Sequence, residues 1–200
     1  MNQEQVLEAC RKCGAMLEGH FQLTSGRHSD RYFQCALLLC DPRRASEMAR
    51  ALAMRIEDRP ELVVGPAMGA VVWSHEVARA LELNSLFTER VDGRMALRRG
   101  FRLEAGQRVL VVEDVTTTGG SVREVLEVVR AAGAVPVGVG AIVNRSGRRN
   151  PFEEDGLPFW CLAEVEATSW TPDACPLCVS GEVGPAIKPG SRPGAASGRS

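Results

Sequence analysis

The chain has 200 residues, 44% of them apolar, and a formal net charge of −1, which suits one soluble domain with a sizeable core. Near-zero charge gives no electrostatic reason to expect nucleic acid or an anionic membrane as a partner. The N-terminus has no apolar leader segment, and the longest weakly polar stretch, 131–143, is interrupted by Gly133, Pro136, Gly138 and Gly140, so no membrane span is expected and the expected compartment is the cytoplasm.

Two compositional biases bear on the chemistry. Of the 24 basic residues only Lys12 and Lys188 are lysine, and arginine and lysine are not interchangeable in a site. The seven cysteines are an odd number, which argues against a disulfide framework in a cytosolic protein. Cys10 and Cys13 form one CxxC pair and Cys175 and Cys178 another. Together they would make a tetrahedral zinc site if the two ends of the chain met, although buried thiols are the simpler reading.

In chain order, residues 3–16 have helical periodicity, with Val6, Leu7, Cys10 and Cys13 on one side and Gly14 or Gly19 as the stop. Residues 20–33, HFQLTSGRHSDRYF, alternate like strands at both ends around a polar turn at 25–30, which predicts a hairpin-like hood. Asp41-Pro42 reads as an N-cap with proline at the first helical position, opening a helix to about Ile56 with Ala45, Met48, Ala49 and Leu52 inward. Residues 62–64 are a strand. GPAMGA at 65–70 is a glycine-bearing turn into a second helix, on which His75 is read as packing or surface.

Residues 85–88 are a further strand. Residues 89–108 then hold Arg90, Arg94, Arg98, Arg99, Arg102 and Arg108 against three acids, with glycines between. The simple reading is a solvated charged hairpin; the functional one is a mobile lid, at about 89–106, that excludes water from a reaction.

The most informative stretch is QRVLVVEDVTTTGGSVRE at 107–124. Residues 109–112 suit a buried strand, and Glu113 and Asp114 follow at its end. Val115, Thr116, Thr117, Thr118, Gly119, Gly120 and Ser121 make a small hydroxyl-rich turn, and Ser121 with Glu124 has the spacing of a capping box. A strand, a glycine turn and a helix start present backbone N–H groups to an anion. The carboxylates repel phosphate and suit sugar hydroxyls or a divalent cation. Phosphate beside a diol points to a ribose 5-phosphate. After this turn, Val122, Val125, Leu126 and Val129 form an apolar helix face, Gly133 ends the helix, and 135–143 is a strand leaving Arg145 at its carboxyl end, where ligands of open α/β sheets bind. Residues 158–166 are the last sheet strand or a hood strand, and residues 193–200 are expected to be disordered. Repeated strand–helix units predict an α/β fold with a mainly parallel sheet.

VVEDVTTTGGS resembles the phosphoribosyl pyrophosphate (PRPP) motif of type I phosphoribosyltransferases. FQLTSGRHSDRYF is similar, more specifically, to the segment that covers the base in orotate phosphoribosyltransferases, and WTPDACPLC with KPGSR is similar to the end of some members. The resemblance implies one phosphoribosyltransferase domain over 1–192, with a hood from about 17–35 and 157–180. It implies transfer of phosphoribosyl from PRPP to orotate, with Mg²⁺ carried by PRPP near Glu113 and Asp114. Residues 113–121 would hold PRPP, with Glu113 and Asp114 steadying the ribose. Thr117, Arg145, Tyr32 and Phe33 would hold orotate, Arg145 pairing with its carboxylate. Arg90 matches the lid's first arginine, and Arg94 and Arg98 stand for the family's lid lysines. Thr24 departs from the common lysine, with Arg27 a nearby substitute, and Gly69 stands at or beside another lysine of the family. A homodimer, with the lid reaching the partner's site, is implied as well.

Two other readings remain. A purine phosphoribosyltransferase would share the PRPP motif, but SGRHSDRYF and Arg145 are unexpected there. A PRPP-sensing regulator that binds nucleic acid would share the fold, but the net charge and the basic lid speak against it.

Overall fold

The computed structural model describes residues 1–23, 26–166 and 168–189. The expectations on Thr24, Ser25, Ser191, Arg192 and the 193–200 tail lie outside the described residues.

The chain builds α1 (Gln3–Lys12), β1 (Met16–Gln22), β2 (His28–Phe33), α2 (Ala36–Leu39), α3 (Pro42–Ala53), β3 (Leu62–Pro66), α4 (Gly69–Leu81), β4 (Asn84–Val91) and β5 (Arg94–Leu97). Then follow β6 (Arg108–Thr116), α5 (Gly120–Ala131), β7 (Val135–Asn144), β8 (Phe159–Glu164), β9 (Ser169–Trp170) and α6 (Pro176–Ser180). The main sheet has the order β5-β4-β3-β6-β7-β8. All its pairings are parallel except β4–β5.

Alternation along the strands explains the layering. Val63, Leu110 and Val112 face one side, packed with Leu38, Met48, Leu52, Trp73 and Val77 from α2, α3 and α4. Val64, Val109 and Val111 face the other, packed with Val122, Val125, Leu126 and Val129 of α5. A parallel sheet buried on both faces needs strands that are apolar throughout, and these strands are. The proline-led helix behaves as expected: the Asp41 side chain accepts from Arg43 N at 3.0 Å, with Pro42 in the first turn.

A second, three-stranded sheet, β1-β2-β9, forms the hood. Residue 187 closes it, with Gln22 N donating to Ile187 O at 2.7 Å and Ile187 N to His20 O at 2.8 Å.

Several sequence expectations need correction. The first helix ends at Lys12, because Gly14 turns the chain through a left-handed conformation (φ 71°) and Met16 already belongs to β1. Residues 159–164 belong to the main sheet as β8, not to the hood, which on the C-terminal side begins only with β9. The charged segment is not a loop throughout: Thr88 pairs with Leu97 and Arg90 with Met95, so its first half is a β-hairpin turning at Asp92 and Gly93. The two cysteine pairs do not meet. Cys10 is buried on α1 among core residues, its thiol pushed up to about 12 by burial, and Cys13 Sγ lies against Cys10 O. Cys175 and Cys178 instead stand beside two histidines of the hood.

Candidate active site

Three carboxyl ends of adjacent strands, β3, β6 and β7, converge on one edge of the main sheet. Glu113 and Asp114 lie within β6, not beyond it, because pairing with β7 continues to Thr116 and Asn144. Asp114 Oδ1 accepts from Val115 N at 2.8 Å, and Glu113 Oε1 from Asp114 N at 3.2 Å. Neither carboxylate has an ion-pair partner among the described residues. Burial, followed by the charge of Asp114, holds the Glu113 carboxyl well above the usual carboxylate range. An acidic pair without a cation beside it fits sugar hydroxyls and a hydrated divalent ion.

The β3–α4 turn closes on this pair. A Cβ placed on Gly69 would come within 3.3 Å of both Asp114 carboxylate oxygens. A side chain here would press on the carboxylate, so glycine at 69 lets the turn approach Asp114 without displacing it.

The β6–α5 turn leads into a helix start without a side-chain cap, where Gly120 N donates weakly to Thr118 Oγ1 at 3.4 Å. The expected capping box is not formed: α5 starts at Gly120, with Gly119 as its cap in the left-handed region (φ 76°) and no side-chain cap. Ser121 lies inside the first turn, and Glu124 is engaged with Arg90. The uncapped start leaves N–H groups directed at an anion, and Thr117, Thr118 and Gly120 around it are exposed. Thr116 is buried, and its Oγ1 has no partner.

Sequence reasoning missed the support of this turn. Arg123 donates from Nη1 to Thr118 O (2.9 Å), from Nη2 to Pro151 O (2.6 Å) and from Nε to Asp155 (3.0 Å). Its guanidinium also lies 5.4 Å from the centre of the Phe152 ring. Phe152 in turn fills the space a Cβ on Gly119 would need, at 2.8 Å. The only signal available in the sequence was an arginine two residues after a phosphate-type turn.

Arg145 follows β7 and reaches toward the hood. It is 8% exposed. Its Nη2 donates to Ser29 Oγ at 3.1 Å and to Arg31 O at 3.0 Å, and its guanidinium lies 5.5 Å from the Phe33 ring centre. Its Nε is buried with no partner, and burial lowers its pKa. Phe33 is core, as the simple reading had it, and also a platform for this cation. Tyr32 is half-buried; its hydroxyl donates to Gln34 Oε1 at 3.2 Å, and burial and the nearby Asp114 charge raise its pKa. The hood therefore faces the acidic pair.

The lid residues divide. Arg90 is committed to Glu124 by two 2.8 Å bonds and to Gly93 O. Arg99 pairs with Glu89. Arg94 and Arg98 are exposed and form no ion pair among the described residues. His75 is exposed. Arg27 bonds Ser169 of β9 through its Nε at 3.0 Å.

Comparison with known proteins decides the family. The phosphoribosyl transferase domain matches residues 38–157. An orotate phosphoribosyltransferase of Desulforamulus reducens is 52% identical over 193 residues, covering 96% of this chain and 98% of the relative. The chain belongs to the orotate phosphoribosyltransferase family. Another relative of that name, from Pelotomaculum thermopropionicum, is 51% identical over the same share of this chain and 99% of its own. The crystal structure of orotate phosphoribosyltransferase from Aeropyrum pernix superposes with a TM-score of 0.69 at 26% identity, over 80% of this chain and 94% of that one. The fold is therefore that of the type I phosphoribosyltransferases. Among the described residues, no helix is long and apolar enough to cross a membrane.

Proposed function

We propose that this chain transfers the 5-phosphoribosyl group of PRPP to orotate, giving orotidine 5′-monophosphate and pyrophosphate, and so serves pyrimidine nucleotide synthesis in the cytoplasm. The observation that carries the base assignment is Arg145, a buried guanidinium at the carboxyl end of β7 whose Nε has no partner among the described residues. The charge of Asp30 is the main offset to its burial, and a planar carboxylate brought beside the guanidinium would add a charge-assisted partner. Orotate has such a carboxylate; adenine, hypoxanthine and uracil do not.

The remaining roles follow from position. Amides and hydroxyls of 115–121 hold the 5′-phosphate, and Arg123 keeps that turn in shape. Asp114 and Glu113 accept from the ribose hydroxyls and stabilise the positive charge that grows at the anomeric carbon. A Mg²⁺ ion bound with PRPP would supply charge neutralisation at the pyrophosphate; the unpaired Glu113 and Asp114 are the residues that fit it. Backbone of the 65–70 turn lies where the pyrophosphate would meet Asp114. Arg94 and Arg98, unpaired among the described residues, are available to stabilise the leaving group. Thr117 and Tyr32 border the base, and Phe33 supports Arg145 from below.

A homodimer accords with the exposed apolar residues Met68 and Val72, 83% and 49% accessible at the start of α4 beside the site; analytical ultracentrifugation tests it. The reaction is tested by ultraviolet loss of orotate with PRPP, with and without Mg²⁺, alongside adenine, hypoxanthine and uracil. Consumption of orotate alone, dependent on PRPP and Mg²⁺, is the expected result. Turnover of a purine in place of orotate overturns the role given to Arg145.

A further inference from the structure

The hood contains a second cluster that phosphoribosyl transfer does not use. His20 on β1, His28 on β2 and Cys175 and Cys178 at α6 bring four ligand atoms within 4.8 Å of one another. His20 Nε2 lies 3.0 Å from His28 Nδ1, 3.5 Å from Cys175 Sγ and 3.6 Å from Cys178 Sγ, and His28 Nδ1 lies 3.3 Å from Cys178 Sγ. His20, His28 and Cys175 are buried, at 3%, 8% and 0% exposure.

Hydrogen bonding alone accounts for this cluster poorly. His20 Nδ1 is 2.8 Å from Gly184 O, an acceptor only, so it carries the proton and donates. The neutral ring then offers a single lone pair, at Nε2. The Cys175 thiol and His28 Nδ1 both face that one lone pair, and if the Cys178 thiol donates to His28 Nδ1 instead, two imidazole lone pairs are left facing each other at 3.0 Å.

A metal ion explains the same distances. Zinc takes nitrogen at about 2.0–2.1 Å and sulfur at about 2.3 Å in a tetrahedron. The tetrahedral edges are then about 3.5 Å for N···S and about 3.3 Å for N···N. The N···S separations of 3.3, 3.5 and 3.6 Å match those edges, and the N···N separation of 3.0 Å is close. The donation from His20 Nδ1 to a backbone carbonyl is the outer contact that usually orients a metal-bound imidazole.

We propose that His20 Nε2, His28 Nδ1, Cys175 Sγ and Cys178 Sγ form a closed structural zinc site. Four protein ligands leave no open position for substrate, so its role is to hold the hood together. Two strands made early in the chain are tied to a segment about 150 residues later. The hood needs such a tie: its third strand is two residues long, and its sheet adds few residues to the buried core. Metal capture deprotonates both thiols and releases their protons to solvent, with no change of oxidation state. His28 immediately precedes Ser29, the residue that Arg145 grips, so the tie also fixes one wall of the base pocket.

The test is metal analysis of the full chain, purified reduced and without a metal-affinity column, then reconstituted with Zn²⁺ alone and with Co²⁺ alone. One zinc per chain is expected, with the visible spectrum of tetrahedral cobalt bound to thiolate in the Co²⁺ form. Cys178→Ser and His20→Ala should weaken zinc binding by more than about 100-fold, beyond the loss typical of outer-shell changes. Cys178→His should retain the metal, as should Cys13→Ser and Cys161→Ser. If the variants do not fold, the cobalt spectrum of the unmodified chain decides alone. Absence of that spectrum, full zinc retention by Cys178→Ser, or a mass showing Cys175 and Cys178 joined as a disulfide in the freshly purified chain would overturn the assignment.

Discussion

Arg145 Nη2 lies 3.1 Å from Ser29 Oγ, a bond that joins the end of β7 to the hood across more than a hundred residues. It fixes one edge of the guanidinium and leaves Nε free. Arg145→Ala should therefore raise the orotate KM by about 10–100-fold, the equivalent of one or two charge-assisted bonds, with little change in the PRPP KM. Arg145→Lys should not restore it, since an ammonium lacks the planar fork. Equal effects on both KM values would remove Arg145 from base recognition.

Asp114 touches the space that Gly69 leaves open. Asp114→Asn keeps the shape and removes the charge. Turnover should fall by about 100-fold or more, as for other electrostatic contacts to a transition state, while thermal melting is nearly unchanged. Unaltered kinetics would end its role at the ribose.

Glu113 makes a prediction about pH. Its folded carboxyl titrates above the unfolded value of about 4.3, mainly through burial. Between those two values the folded state binds more protons than the unfolded one, so stability falls as pH rises through that window. Glu113→Gln removes this penalty. Its melting temperature should exceed that of the parent at pH 7.5 and match it near pH 4, whereas turnover should drop. A variant that melts lower at pH 7.5 would show that burial of the charge is not costly.

The hairpin arginines should differ. Arg90 is held by Glu124, whereas Arg94 and Arg98 are free of ion pairs among the described residues. Arg94→Ala and Arg98→Ala should each lower kcat/KM for PRPP by about tenfold, and Arg90→Ala by less. The reverse ranking, read from initial rates at varied PRPP, would mean that the Arg90–Glu124 pair breaks when substrate binds.

The central layers of the fold were legible because they are periodic. The continuous apolar run at 109–112 and the helical spacing of Val122, Val125, Leu126 and Val129 specify a strand and a helix, and the turn lies between them. Arg145 was legible because it follows a strand whose carboxyl end lies at the sheet's binding edge. Local chemistry misled where two local solutions compete: Ser121 and Glu124 fit a capping box, but Gly119 takes the left-handed cap and Arg90, more than thirty residues away, takes Glu124. The Arg123 brace depends on Pro151 and Asp155, which approach only after α5 packs. The partners of Cys175 and Cys178 were hidden for the same reason. CxxC spacing announces a pair of thiols, but only the folded hood shows that the other ligands are His20 and His28 and not Cys10 and Cys13.

The pairing of β2 with β9 and of His20 with Cys175 sets an order on synthesis. The ribosome delivers β1 and β2 first and the residues paired with them last. In between it completes the β6–α5 turn. If β1 and β2 cover the base as proposed, a polypeptide released before Trp170 lacks the pairing that fastens them and should bind orotate more weakly than the full chain.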